Sequence, residues 1–325
     1  MKTLQYREAL REAMNEEMRK DENVFLLGEE VAEYNGAYKV SQGMLDEFGP
    51  KRVIDTPIAE LGFAGIAVGA SMNGLRPIVE FMTWNFAILA ADQIINSAAK
   101  MLQMSGGQYH CPIVFRGGNG TAGQLGATHS QSFEAFYAHV PGLKVITPSN
   151  PADAKGLLKS AIRDEDPVVF LESEKMYGDK GEVPEGEYLI PIGTANVTRK
   201  GNHVTVVSFG KIIKIAEEVA ELLAKENIEI EIIDLRTIRP IDYGTVVESI
   251  KKTNRCVVVE ESWPLASISS EIAYHVQRYA FDHLDAPVLR LTQTDTPFAF
   301  SPTLIEEALP NKTKLIAAIK HVLYA

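Results

Sequence analysis

Two stretches of the sequence set a titratable side chain in a glycine-rich context. In the first, Pro57-Ile-Ala-Glu60-Leu-Gly-Phe-Ala-Gly-Ile-Ala-Val-Gly, one carboxylate stands at the mouth of an almost wholly apolar helical run. Such a group is either a helix-start glutamate favoured by the helix dipole, or a reactive acid whose pKa desolvation raises against that dipole. Gly62, Gly65 and Gly69 let another backbone approach closely, which also suits a packed subunit partner. In the second stretch a long glycine-rich loop runs from Arg116, directly after a strand-like segment, to His129. Loops at the carboxyl ends of parallel strands are where open α/β sheets bind ligands. His129 either exchanges protons near neutral pH or caps the helix that follows it.

Other chemistries find less support. Gly62, Gly65 and Gly69 do not form a dinucleotide-binding G-x-G-x-x-G, and no G-x-S-x-G elbow is present. His110, His139, His203, His275, His283 and His321 share no spacing that builds a metal site. Glu29 and Glu30 follow the first strand and read as a solvated pair, with a place near a ligand as the lesser reading.

The elements that must position these groups alternate in type. Short β-branched runs at 24–27, 78–81, 113–115, 145–146 and 168–171 are separated by helical stretches or long loops, as in a parallel sheet covered on both faces. A helix over 6–19 opens the chain, and Pro151 suits the first turn of a helix reaching 163. The apolar run 61–72 is shorter than the roughly 20 residues a bilayer requires, so it reads as a buried helix. Gly, Pro and charge between 174 and 193 read as a surface linker. Beyond it a strand at 203–208, helix at 212–226, strand at 229–234, helix at 243–252 and strand at 256–260 predict a second, smaller α/β domain. The expected division is 1–175, a linker over 176–194, and 195–325.

Composition narrows the class. With 325 residues, 46% hydrophobic and 23% charged, the chain has the make-up of a soluble globular protein of about two domains. A net charge of −11 argues against nucleic acid as the partner, because phosphate binding needs clustered Lys and Arg. Cys111 and Cys256 lie far apart, as expected of reduced thiols in the cytoplasm. The first residues form neither a secretory nor a transit segment, so the mature chain is expected to start at Met1, with no membrane association.

Ordered motifs run along the chain: Leu-Leu-Gly-Glu-Glu-Val-Ala-Glu-Tyr-Asn-Gly-Ala-Tyr-Lys-Val-Ser (26–41), Asp-Thr-Pro-Ile-Ala-Glu-Leu-Gly-Phe-Ala-Gly (55–65), Asp-Gln-Ile-Ile-Asn-Ser-Ala-Ala-Lys (92–100), Pro-Ile-Val-Phe-Arg-Gly (112–117), His-Ser-Gln (129–131), Pro-Gly-Leu-Lys-Val (141–145) and Leu-Arg-Thr-Ile-Arg-Pro (235–240). Together they resemble those of the pyruvate dehydrogenase beta-subunit family, within the thiamine-diphosphate-dependent 2-oxo acid dehydrogenases. The resemblance covers essentially the whole chain. It implies an α/β fold: a thiamine-diphosphate-binding, pyrimidine-type parallel-sheet domain and a smaller transketolase C-terminal domain.

The resemblance further implies that Glu60 hydrogen-bonds the aminopyrimidine and so promotes proton loss from the thiazolium carbon. By the same matching Ile58 and Phe86 line the pyrimidine pocket. Leu89 stands where some relatives carry glutamine, which puts a polar contact there in doubt. His129 assists acetyl transfer to lipoyl groups. Carbonyls of Ile113, Ala161, Ile162, Asp164 and Asp166 bind a structural potassium ion, Asp166 replacing an asparagine of relatives. In the family an alpha subunit holds the diphosphate and magnesium through a Gly-Asp-Gly motif, which this chain lacks, Gly178-Asp179-Lys180 being the nearest approach. The implied assembly is an alpha2beta2 heterotetramer acting on a 2-oxo acid, docked on a dihydrolipoyl acyltransferase core through Asp285. Pyruvate is the favoured substrate. The alternatives are a branched-chain 2-oxo acid or acetoin dehydrogenase beta subunit, or a non-catalytic assembly subunit.

Overall fold

In the computed structural model, which describes residues 1–325, strands and helices alternate along the chain. The order begins β1 (Lys2–Gln5), α1 (Tyr6–Lys20), β2 (Val24–Gly28), α2 (Met44–Phe48), β3 (Val53–Asp55), α3 (Glu60–Ser71), β4 (Arg76–Thr83) and α4 (Trp84–Ala87). It continues through α5 (Met101–Met104), β5 (Val114–Asn119), α6 (Glu134–Ala138), β6 (Lys144–Ile146), α7 (Pro151–Arg163), β7 (Val168–Ser173) and β8 (Lys180–Val183). The later part holds β9 (Asn196–Arg199), β10 (Val204–Ser208), α8 (Ile212–Ala224), β11 (Ile230–Asp234), β12 (Thr237–Arg239), α9 (Tyr243–Thr253) and β13 (Cys256–Val259), then α10 (Ile268–Tyr279), β14 (Leu289–Leu291), α11 (Pro302–Ala308) and α12 (Lys312–Leu323). No helix is long and apolar enough to cross a membrane.

Two compact units result: Met1–Asn119 with Phe136–Ile192, and Gly120–Ala135 with Gly193–Ala325. In the first, parallel strands run in the order β6-β7-β5-β4-β2-β3. Leu26, Ile78, Val114 and Phe170 of these strands share one core with Leu10 and Met14 of α1 and Leu157 and Leu158 of α7. Local signals start both helices. Gln5 and Glu8 close a capping box on α1, while the Asn150 side chain accepts from the Asp153 N–H and Pro151 takes the first turn of α7. The second unit is built on a sheet ordered β14-β13-β10-β11-β9, with β9 an antiparallel edge.

Two expectations need correction. The 61–72 run is a helix, but only half of it is buried: Phe63, Ala64, Ala67 and Val68 face the core, whereas Ile66 is 70% exposed and Leu61 is also open. Hydropathy alone does not separate a helix covered by its own sheet from one that leaves an apolar face free. The segment read as linker contains β8, which pairs antiparallel with β1 and buries Val183, because the opening residues offer it a free strand edge.

Candidate active site

Glu60 is the first residue of α3 and is only 5% exposed. Its approach is held by backbone bonds at the carboxyl ends of β2 and β3. The Thr56 N–H donates to the Gly28 carbonyl (3.0 Å), and the Asp55 carboxylate accepts from the Ala32 (2.7 Å) and Glu33 (3.0 Å) N–H groups. Residue 28 must be glycine, since a β-carbon there would sit 3.1 Å from the Glu80 carbonyl carbon of the adjoining β4.

Immediately after that glycine comes Glu29, the main correction to the sequence reading. It is buried, not solvated, whereas Glu30 is exposed. Its carboxylate accepts from the Met82 N–H (3.2 Å) and is hydrogen-bonded to Glu60. Burial pushes the Glu29 carboxyl up to about 7; the Met82 N–H opposes this, and Glu60 and then Glu80 add to it. A carboxyl pair of this kind holds a proton at neutral pH and can release it. No local pattern marked Glu29, because its burial comes from the β2–β4 pairing.

The apolar residues expected at the site are placed as follows. Ile58 is 82% exposed just ahead of Glu60, Phe86 is half-buried on α4, and Leu89 is exposed on the short turn Ile88–Ala90 that packs beside α3. Leu89 offers no polar group.

Under the sheet ends, Arg116 is fully buried between two carboxylates. Its Nε donates to Glu172 Oε1 (2.6 Å), its Nη2 to Glu172 Oε2 (2.5 Å) and its Nη1 to Glu80, while the Tyr177 hydroxyl donates to Glu172 (2.8 Å).

His129 belongs to the other unit. It ends the 3-10 turn Ala127–His129 and is half-buried, with its Nδ1 3.0 Å from the Thr128 hydroxyl. Helix α6 starts only at Glu134, so His129 does not cap it.

The five carbonyls expected to hold a cation are partly gathered. Ile162 and Asp164, at the C-terminal end of α7, both accept from Arg76 Nη1 (3.1 and 3.2 Å). The Ala161 carbonyl accepts from the Asp164 N–H (3.2 Å) and that of Ile113 from the Val168 N–H (2.9 Å). Lys144 pairs with the Asp164 (2.7 Å) and Asp166 (3.0 Å) carboxylates; burial lowers its pKa, and these two acids outweigh that and raise it.

Fold and site together define a transketolase-type class. Residues 2–180 match the model of the transketolase pyrimidine-binding domain and residues 193–315 that of the transketolase C-terminal domain. A solved chain described as a split-gene transketolase, inactive beta4 tetramer, superposes with a TM-score of 0.82 over 99% of both chains at 22% identity, a likeness of fold. Within that class the chain belongs to the family of pyruvate dehydrogenase E1 component beta subunits. It is 57% identical to the protein of that name from Rhizobium meliloti over all of this chain and 71% of that protein. It is 56% identical to the one from Rickettsia felis over 98% of both, and 51% identical to the mitochondrial beta-2 form of Oryza sativa over 99% of this chain and 87% of that protein.

Proposed function

We propose that this chain is the beta subunit of the decarboxylating component of a pyruvate dehydrogenase complex, taking part in oxidative decarboxylation of pyruvate and acetyl transfer to lipoyl groups. The observation that carries this reading is the buried Glu60–Glu29 pair, in which Glu60 opens α3 and Glu29, directly after β2, is lifted to about 7.

The residues fit the pyrimidine end of thiamine diphosphate. Glu60 offers a carboxyl for a ring nitrogen, Ile58, Phe86 and Leu89 offer apolar surface, and the Thr56 hydroxyl is buried without a hydrogen-bond partner two residues before Ile58. When bound, the cofactor supplies the electron sink that loss of carbon dioxide needs. Glu60 would hold the pyrimidine nitrogen, its carboxyl being the group placed to exchange a proton there. Glu29 keeps Glu60 supplied with a proton close to neutral pH. In the same reading His129 donates or accepts the proton of the lipoyl sulfur during acetyl transfer.

The family's diphosphate motif is missing from this sequence, so diphosphate and magnesium are assigned to an alpha subunit in an alpha2beta2 assembly. The open face of α3 is consistent with a subunit partner. We assign 1–175 as the pyrimidine-binding domain, 176–194 as the connection, of which β8 pairs back onto β1, and 195–325 as the transketolase C-terminal domain. An all-carbonyl donor set at the negative end of α7 suits a potassium ion held by Ile113, Ala161, Ile162, Asp164 and Asp166, since each carbonyl keeps a second lone pair. Asp285, 55% exposed and 3.2 Å from Arg255, is assigned to docking the acyltransferase core. Two buried, unpaired cysteines suit the cytoplasm.

The test is 2-oxo acid decarboxylation with thiamine diphosphate, magnesium and an artificial electron acceptor, by the chain alone and after co-expression with an alpha subunit. Activity on pyruvate only in the co-expressed sample, abolished in Glu60→Gln with the fold retained, is the expected result. Activity of the lone chain, or an active Glu60→Gln complex, overturns it.

A further inference from the structure

The geometry points to Phe300 as a positioning residue for His129: its ring latches the turn that carries the histidine. This rests on the acetyl-transfer role proposed for His129 and names a residue that sets where that imidazole stands.

Residues 120–131 form a loop whose neck is closed, the Gly120 N–H donating to the Gln131 carbonyl (3.0 Å). A buried ion pair grips the neck. Glu261 accepts from the Thr121 N–H (2.6 Å) and the Thr121 hydroxyl, and Lys211 Nζ stands 2.5 Å from the Glu261 carboxylate while also donating to Thr121. These contacts hold the loop at its base on the Thr121 side, and His129 lies on the returning limb, two residues before Gln131.

There the fixed point is Gly126. Its φ of +78° is one that side chains rarely adopt, and ring atoms of Phe300 lie 2.7 and 2.8 Å from where a β-carbon would be. The aromatic ring thus occupies the side-chain space of residue 126. The carbonyl of the same glycine accepts from the His129 N–H (3.4 Å), closing the turn that ends on the histidine. One residue therefore carries both the ring contact and the bond that orients His129.

Phe300 is 67% exposed, so filling a core is not its main use. The chain on either side of it is tied down. Phe300 precedes the Ser301 cap and Pro302 of α11, Trp263 Nε1 donates to the Thr296 carbonyl (3.0 Å), and the Thr294 N–H donates to the Ala308 carbonyl (2.9 Å). A ring pressed against a glycine stops that glycine from using its conformational freedom. Without the ring the turn opens and the imidazole shifts. A misplacement of about 1 Å costs catalysis on the order of 100-fold.

The experiment uses the co-expressed complex and measures two rates: decarboxylation of pyruvate with an artificial electron acceptor, and acetylation of a lipoylated domain followed by mass. For Phe300→Ala the ratio of acetylation to decarboxylation should fall roughly 10- to 100-fold. Phe300→Tyr should restore it, and amide exchange at 126–129 should quicken in the alanine variant alone. Equal losses in both rates, an unchanged ratio, or a tyrosine variant as poor as alanine overturns the latch. His129→Ala in the same assay separates the two readings. If it leaves acetylation intact, the role of His129 fails and the latch with it; if it abolishes acetylation while Phe300→Ala does not lower the ratio, only the latch fails.

Discussion

Two hydrogen-bonded, buried carboxyls are hard to ionise together, and the arrangement has a cost that depends on pH. The Glu29 carboxyl titrates at about 7 in the folded chain against an ordinary value of 4.5, so the folded state binds more protons than the unfolded one between those values. Its stabilising contribution is therefore fully present below about 4.5 and is lost as pH rises through about 7. Glu29→Gln, neutral throughout, should flatten this dependence. Thermal melts of the cofactor-free chain at pH 5 and pH 8 should show a smaller drop for the variant than for the parent, and equal drops would refute the assignment. At this scale the sequence was partly legible. Glu60 and His129 stood out because each is a titratable side chain in a glycine-rich setting beside an element end. Glu29 did not, since adjacent acids look alike whether solvated or buried, and only the opposition of Gly28 to Glu80 across two strands takes it inside. Phe300 lies far along the chain from Gly126, and no local pattern links them.

Strands β4, β5 and β7 are joined by more than their ladders. Glu80 lies opposite Arg116 in register, and Arg116 reaches across to Glu172, so three neighbouring strands contribute to one buried ionic group. Burial raises the Glu80 pKa and the Arg116 charge opposes that rise. Deleting the cation leaves two uncompensated buried carboxylates. Arg116→Met should therefore cost on the order of 3–5 kcal/mol in urea denaturation, whereas replacing all three side chains by apolar ones of similar volume should cost far less. A single variant as stable as the parent would show that the cluster contributes nothing. The positions of these strands were readable, because β-branched runs bounded by turn residues mark strands wherever they lie. Their ionic link was not, since Arg116 appeared only as the first residue of a glycine-rich loop. The short β8 also escaped notice: its exposed, charged residues resemble a linker until β1 lies beside them.

For the molecule as a whole the telling feature is apolar surface on α3 that neither unit's core uses. Ile58, Leu61 and Ile66 are each exposed on this helix and its approach, and Gly69 has open space around the place a β-carbon would take. Leaving this much aliphatic surface in water is unfavourable by roughly 25 cal/mol per Å², and burial against another chain recovers it. The relatives named as beta subunits make a partner chain the natural cover, and the net charge of −11 keeps the uncovered chain dispersed until it meets one. Periodicity showed a helix here but could not show which side meets a neighbour, because core and interface draw on the same residues. If α3 is an interface, Ile66→Glu should change the stability of the lone chain by no more than about 0.5 kcal/mol, as surface substitutions do. Yet it should weaken assembly with the alpha subunit by about 2 kcal/mol or more, roughly 30-fold, because the new charge would be buried unpaired at a central contact. Light scattering on the co-expressed proteins, beside melts of the single chain, reads both effects. A variant that assembles as the parent does would mean that this face of α3 is not where the partner sits.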